Sequence, residues 1–213
     1  MNLTKPEFKE IVSNEHELRS FLGEPSLLAG NKVITKLDSH CKTIIQHSPF
    51  LVISTSNSDG TCDASPRGDA PGFVYIVDEH HVIIPERPGN KRADSIHNIL
   101  TNPHVGLIFM IPGMEETLRI NGRAFIIRDQ HWLEKMSAQH KVPHLGIVVE
   151  IEEIFMHCAK AFKRSHLWNP DSWPKRQDLP SMAEVLKDHV KKEELTVETI
   201  NDTLKESYSK RLY

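Results

Sequence analysis

Three cations fall within six residues of one short stretch of the chain. Arg87, Lys91 and Arg92 lie between a predicted strand, residues 81–85, and a predicted helix, residues 93–100. The free N–H groups of a helix start and charged donors beside them are the groups that bind a phosphate. The helix dipole contributes only about 0.3–1 kcal/mol, so the cations must supply most of the affinity. The local sequence fits a phosphate site and a solvated charged turn about equally well.

A second stretch, Ser65-Pro66-Arg67-Gly68-Asp69, closes a predicted strand over residues 62–67. Pro66 cannot donate to a neighbouring strand, which favours an edge strand or a bulge. Ser65 and Arg67 could face a ligand, with Asp69 steering the arginine. The alternative is a surface ion pair between Arg67 and Asp69, worth about 0–1 kcal/mol, and this stretch alone favours that alternative.

A third stretch, residues 157–168, combines Lys160, Lys163 and Arg164 with Trp168. An aromatic plane beside cations suits a flat anionic ligand. The alternative is an amphipathic cationic helix against which Trp168 packs. Cys158 follows a histidine, but no third group that could orient such a pair is in view, so we predict no catalytic cysteine.

The composition limits the partners. The 213 residues carry 26 Lys and Arg against 29 Asp and Glu, a formal net charge of −3, which argues against binding nucleic acid by bulk charge. No apolar run approaches the ~18 residues of a membrane span, and the N-terminus lacks an apolar signal core. We therefore expect no membrane partner and no secretion.

Cys41, Cys62 and Cys158 are too widely spaced for a zinc site or a disulfide framework, so we predict no metal and a cytoplasmic location.

The elements that must position these stretches change in type along the chain. Residues 1–47 are predicted to be helical, with apolar stripes first at Phe8, Ile11 and Val12 and later between residues 33 and 45. Residues 48–168 carry six to eight short strands separated by turns, which favours a small antiparallel barrel. Residues 169–213 form a tail with two polar amphipathic helices. No GxGxxG, Walker A or GxSxG pattern occurs, which argues against dinucleotide, P-loop and serine-hydrolase sites.

The three stretches, in this order and spacing, resemble the FMN-binding split-barrel proteins of the pyridoxamine-phosphate oxidase-like superfamily. The resemblance rests on Ser65–Asp69, on Pro85–Arg92 with Asp94 and Ser95, and on His157–Trp168, and it covers residues 14–170. Residues 118–124, Leu-Arg-Ile-Asn-Gly-Arg-Ala, also match. Together these segments are specific, and no one of them is.

The resemblance implies a mainly β fold, an FMN-binding split β-barrel with flanking N- and C-terminal helices, and a homodimer with FMN at the subunit interface. The FMN phosphate would meet the loop and helix start, and Ser65 and Arg67 would lie along the ribityl chain or the ring edge. Lys160, Arg164 and Trp168 would close the pocket, in one version from the partner chain. The implied cofactor-binding residues are Ser65, Arg67, Pro85, Arg87, Asn90, Lys91, Arg92, Ser95, Lys160, Arg164 and Trp168.

The implied activity is that of an FMN-dependent oxidoreductase acting on a small molecule. In such an enzyme Arg67 or Lys160 would stabilise the reduced, anionic flavin, and no general acid or base is assigned. The helix predicted over residues 129–139 lacks the Tyr and Arg that hold the substrate phosphate in the vitamin B6 oxidase, which argues against that reaction. The alternatives are a non-catalytic flavin carrier or stress-related module and a haem-binding split barrel that uses a histidine such as His157.

Overall fold

The computed structural model describes residues 8–213, which divide into two compact units. The first unit ends at Val33 and contains the helices α1 (Glu15–Leu22) and α2 (Leu27–Gly30). Asn14 caps α1: its side chain accepts a hydrogen bond from the Glu17 amide. The helical prediction is wrong for residues 8–13, which lie outside any helix, and its first seven residues lie outside the described chain.

The second unit, Ile34–Tyr213, contains one antiparallel sheet of seven strands in the order β2-β1-β5-β6-β7-β4-β3. Within the described chain the edge strands β2 and β3 do not pair with each other, so the sheet stays open. The prediction of a mainly β, split-barrel fold with helices before and after the sheet is confirmed. The strands are β1 (Phe50–Ser56), β2 (Cys62–Gly68), β3 (Tyr75–Ile76), β4 (His81–Pro85), β5 (His104–Met110), β6 (Thr117–Ile127) and β7 (Gly146–His157).

The main core lies on one face of this sheet. Leu51 and Ile53 of β1 are fully buried, because alternate residues of a strand point to the same face. Helix α3 (Ser39–His47) adds Cys41 and Ile45 to the same cluster, and Leu37 before the helix is buried there too. The predicted stripe packs into the core only from Leu37 onward, because Val33 and Ile34 are exposed and lie outside any helix. Fully burying one such aliphatic side chain contributes about 1.5–3 kcal/mol.

Helix α4 (Asp94–Thr101) is fixed to the sheet by two polar contacts. The Asn98 amide donates to the Thr55 hydroxyl at 2.9 Å, and the Asn102 amide donates to the Ser56 hydroxyl at 2.9 Å. Both acceptors belong to β1, so the second half of α4 and its C-cap are held against the strand that neighbours β2.

The remaining helices follow the strands or lie between them. Helix α5 (Gln130–Glu134) begins after its predicted cap, Asp129, but it is shorter than predicted. The chain leaves it for a tight turn in which Gln139 and His140 both have positive φ. The others are α6 (Lys160–Ser165), α7 (Met182–Val190) and α8 (Val197–Lys210), with 3₁₀ turns at Pro170–Ser172 and Arg176–Asp178. None of the described helices is long and apolar enough to cross a bilayer.

Candidate functional site

The edge strand β2 and the corner between β4 and α4 enclose a cleft of about 480 Å³. This cleft brings together seven of the eleven residues that the sequence predicted: Ser65, Arg67, Pro85, Arg87, Asn90, Arg92 and Ser95. Two stretches that are about twenty residues apart in the chain therefore meet at one site, which a solvated turn does not require.

Strand β2 borders the cleft with residues 63–68. Asp63, Ser65 and Arg67 are the half-buried residues of the strand, and the residues between them are exposed. The strand lies at the edge of the sheet, which is the place that Pro66 predicts. The exposed Ala64, Pro66 and Gly68 line the cleft as well, so alternation alone does not decide which residues of β2 reach it.

Arg67 is the most enclosed cation of the cleft, with its side chain 13% exposed. One of its terminal nitrogens pairs with the carboxylate of Glu86, and its Nε is buried without a hydrogen-bond partner. The predicted steering of Arg67 by Asp69 is wrong, because Asp69 pairs with a different arginine. A buried donor without a partner is costly, so Arg67 is held in this position at some expense of stability.

Asp69 instead holds Arg87. The Arg87 Nε donates to Asp69 Oδ2 at 2.7 Å, and the carboxylate is 4% exposed. Burial acts to raise the pKa of Asp69, but hydrogen bonds from Tyr213 and Ala70 and the Arg87 charge outweigh burial and lower the pKa. The pair is therefore ionised at neutral pH, and the position of Arg87 is fixed.

The start of α4 forms the opposite end of the cleft. Ala93 precedes the helix in the left-handed conformation (φ 57°), and no side chain caps the first turn. Ser95 is buried and donates to Asp63 Oδ2 at 2.8 Å, which ties the helix start to β2. Arg92, at the rim, pairs with Asp94 at 2.8 Å, and this hydrogen bond raises the pKa of Arg92. The first-turn N–H groups of α4 can therefore donate to an anion.

Lys91 belongs to a neighbouring cavity of about 790 Å³ rather than to the cleft. The two cavities share one wall, residues 86–90 and Ala93. Lys91, beside this wall, has positive φ (62°), as does Ala93 (57°) within it, so two non-glycine residues of the corner adopt a costly conformation. Such conformations persist where the surrounding structure imposes them, and they are frequent at ligand sites.

The third predicted stretch lies apart from both cavity linings. Trp168 stacks on Phe162 with ring centroids 5.5 Å apart, and its Nε1 donates to the Met114 carbonyl at 2.8 Å. Lys163 pairs with Glu115 at 2.5 Å. Within this chain the segment thus packs against the turn before β6. The assignment of Lys160, Arg164 and Trp168 to the pocket stays a prediction that requires a second protomer.

The family model of pyridoxamine 5′-phosphate oxidase matches residues 37–158, which is more than half of the chain. The chain belongs to the pyridoxamine 5′-phosphate oxidase family. The match includes β2, the Pro85–Ser95 corner and all seven strands, and it ends before α6. No curated protein matches the chain.

Several solved structures resemble this family member over just over half of its length. HupZ of Group A Streptococcus is 18% identical with a TM-score of 0.47, and the alignment covers 56% of this chain and 93% of that chain. An FMN-binding protein from Syntrophomonas wolfei is 9% identical, with a TM-score of 0.44 and coverages of 55% and 83%. The haem storage protein HutZ from Vibrio cholerae is 13% identical, with a TM-score of 0.41 and coverages of 57% and 94%.

The sequence did not reveal several residues of the site in this family member. Asp63 and Glu86 line the cleft as partners of Ser95 and Arg67, although Glu86 stands between two predicted residues and Asp63 lies two residues before one. Leu212 also lines the cleft, and no local pattern connects it with β2. Alternation along β2 would have placed Asp63 on the face of Ser65, so that residue was the one within reach of sequence reasoning.

Proposed function

We propose that this protein binds FMN in the cleft between β2 and the Pro85–Ser95 corner, with the phosphate at the corner. The observation that supports this most is the meeting of Arg67, Arg87 and the uncapped start of α4 in one enclosure. Membership of the pyridoxamine 5′-phosphate oxidase family supports it independently. The cleft volume lies within the ~300–1,000 Å³ range of small-ligand sites.

The donors of the cleft fit such a ligand. An arginine has five N–H donors, and Arg87 uses its Nε for Asp69, so its two terminal nitrogens can serve a phosphate. Arg67 lines the same cleft with its side chain 13% exposed and pairs with Glu86. Asn90 and Arg92 lie at the rim, where they can contact the same anion.

The carboxylates of the cleft do not oppose this assignment. Glu86 and Asp94 of the lining pair with Arg67 and Arg92, and Asp69, which is not part of the lining, pairs with Arg87. Each pair largely cancels its own charge before a ligand arrives. Asp63, the remaining carboxylate of the lining, accepts a hydrogen bond from Ser95. Selectivity for a phosphate then depends on the remaining directed N–H groups rather than on bulk charge. This agrees with a chain whose net charge is only −3.

We propose further that the protein is an oxidoreductase acting on a small molecule. Bound FMN would supply hydride or electron transfer. Of the two cations considered for the flavin ring, Arg67 lines the cleft, and the role of favouring an anionic ring is therefore given to Arg67. A non-catalytic carrier would bind FMN equally well, so reduction by NADH or NADPH and reoxidation by a defined acceptor distinguish the two functions.

The phosphate site is tested by comparing FMN with riboflavin, which lacks the phosphate. We expect wild-type protein to bind FMN more tightly, and we expect Arg87→Gln to weaken FMN binding about 10- to 100-fold, as the loss of a charge-assisted hydrogen bond predicts. Riboflavin affinity should stay nearly constant, because glutamine can still donate to Asp69. Quenching of flavin fluorescence on titration gives both dissociation constants.

Arg176→Gln is the matched control, because Arg176 lies outside the linings of both cavities and donates to the carbonyls of Leu179 and Pro180. It should leave both dissociation constants unchanged. The proposal fails if wild-type protein binds the two flavins equally, or if Arg87→Gln weakens both to the same extent.

A further inference from the structure

Asp69 is held by three donors. Its Oδ1 accepts from the Tyr213 hydroxyl at 2.7 Å and from the Ala70 amide at 2.7 Å, and its Oδ2 accepts from Arg87 at 2.7 Å. A carboxylate that is this deeply buried and this fully bonded has one orientation. Through its hydrogen bond from Nε, Asp69 thereby fixes the orientation of the Arg87 guanidinium, and Arg87 lines the cleft.

Tyr213 reaches this carboxylate across 144 residues of sequence. Its ring lies under the Arg87 guanidinium, with 5.8 Å between Cζ and the ring centroid, which is within cation–π range. Its main-chain oxygen accepts from Lys141 Nζ at 2.6 Å. The preceding residue, Leu212, lines the cleft itself. The segment is thus fixed at its backbone, its ring and its hydroxyl.

We propose that Asp69 and Tyr213 are positioning residues of the cofactor site. Asp69 holds Arg87 through Nε, so that the two terminal nitrogens face the cleft, and Tyr213 fixes Asp69 and covers one face of the guanidinium. This inference rests on the proposed FMN function, and it assigns a binding role to a segment outside the part of the chain that the family model matches.

The second cavity supports the same role. Tyr213 lines that cavity and Leu212 lines the cleft, while Arg87 lines both. Leu212 and Tyr213 therefore lie beside the wall that the two cavities share. Without them, the Arg87 side chain could turn into either cavity. Holding Arg87 in one rotamer reduces the entropy lost when a phosphate binds.

The test is Tyr213→Phe, which removes only the hydroxyl. We expect the FMN dissociation constant to rise about tenfold, because Asp69 loses a hydrogen bond and Arg87 is less well fixed. The riboflavin dissociation constant should change less than about twofold, since riboflavin has no phosphate to meet Arg87. Tyr208→Phe is the matched control: Tyr208 lies on α8, is 63% exposed, and should leave both constants unchanged.

The outcomes separate this inference from the proposed function. If Arg87→Gln weakens FMN binding and Tyr213→Phe does not, the positioning role is overturned and the phosphate site stands. If Tyr213→Phe weakens both flavins equally, its role is structural and the inference is also overturned. If neither variant affects FMN, the phosphate site fails and the positioning role fails with it.

A measurement on the ligand-free protein checks the contact itself. The hydrogen bond to Asp69 raises the pKa of Tyr213, so an ultraviolet titration should show a component that ionises above the usual pH range of a tyrosine. That late component should persist in Tyr208→Phe and be lost in Tyr213→Phe. Its persistence in Tyr213→Phe would show that the contact does not form in solution.

Discussion

Cys41 differs from the other two cysteines of the chain in its surroundings. It is 6% exposed in the core, whereas Cys62 and Cys158 are exposed. Burial, reinforced by the hydrogen bond and negative charge of Asp38, raises the pKa of the Cys41 thiol to about 11. At pH 8 only about one such thiol in a thousand is ionised, and the thiolate is the reactive form. We therefore expect iodoacetamide to alkylate Cys62 and Cys158 in the native protein and to spare Cys41, as measured by mass spectrometry of peptides.

The same reaction in urea provides the control, because unfolding removes both the burial and the shift in pKa. All three cysteines should then react at similar rates. Alkylation of Cys41 in the native protein at the rate of Cys62 would contradict the burial of α3 against the sheet.

For single residues of the site, the sequence identifies the cations better than the residues that hold them in place. The clustering of Arg87 and Arg92 is visible in a short window, because charge and the helix start lie side by side. The partner of Arg87 is not visible in that window, because Asp69 follows β2 and Arg87 follows β4, which lie near opposite ends of the strand order. The tertiary fold, and not local spacing, brings the two residues together. Tyr213 lies beyond any local pattern, since its contact with Asp69 spans 144 residues.

Among the elements, β6 contains the position that is least tolerant of change. The pairing of β6 with β7 shifts register between Asn121 and Gly122, which marks a bulge. A Cβ on Gly122 would lie 2.0 Å from the Glu150 carbonyl oxygen. We expect Gly122→Ala to lower the free energy of unfolding by about 3 kcal/mol, the upper end for overpacking, as measured by urea denaturation.

Gly106→Ala is the matched control, because Gly106 lies in the adjacent strand β5 and pairs with Asn121 of β6. A Cβ there would meet the Asn121 side chain at 3.5 Å, an ordinary contact. Stability should change by less than about 1 kcal/mol, because alanine loses less entropy than glycine on folding. Equal destabilisation by both variants would show that the bulge is not what excludes a side chain at Gly122.

Element boundaries that the local sequence determines agree with the prediction, and boundaries that distant contacts determine do not. The bounds of β4 agree with the prediction, because its apolar run ends in a proline and a charged loop. Helix α5 ends early, because Leu133 and Met136 pack into a second core cluster and the chain then turns through Gln139 and His140. Neither residue is a usual turn former, so periodicity alone extends the helix too far.

For the whole molecule, the sequence predicts a dimer with FMN at its interface, and this prediction still has to be tested. On one face of the sheet an apolar row crosses three strands through Ile83, Val148 and Phe125. Leu133 and Met136 cluster with the first two, but Phe125 is 52% exposed in the interior of the sheet. Leu133 and Met136 cover only part of this apolar row, and Phe125 at its end stays exposed. Such a surface suits contact with the same surface of a second copy, since a two-fold interface is self-complementary.

We therefore expect light scattering coupled to size exclusion to give twice the 24.3 kDa chain mass for the wild-type protein. Phe125→Glu should shift the protein to the monomer mass, because two like charges would face each other in a desolvated interface. Phe21→Glu, at a residue that is more exposed but lies in the first unit, should leave the dimer intact. If Lys160, Arg164 and Trp168 act from the partner chain, the Phe125→Glu monomer should also bind both FMN and riboflavin more weakly. A wild-type protein at 24.3 kDa would exclude the dimer, and those three residues would then have no route into the cleft.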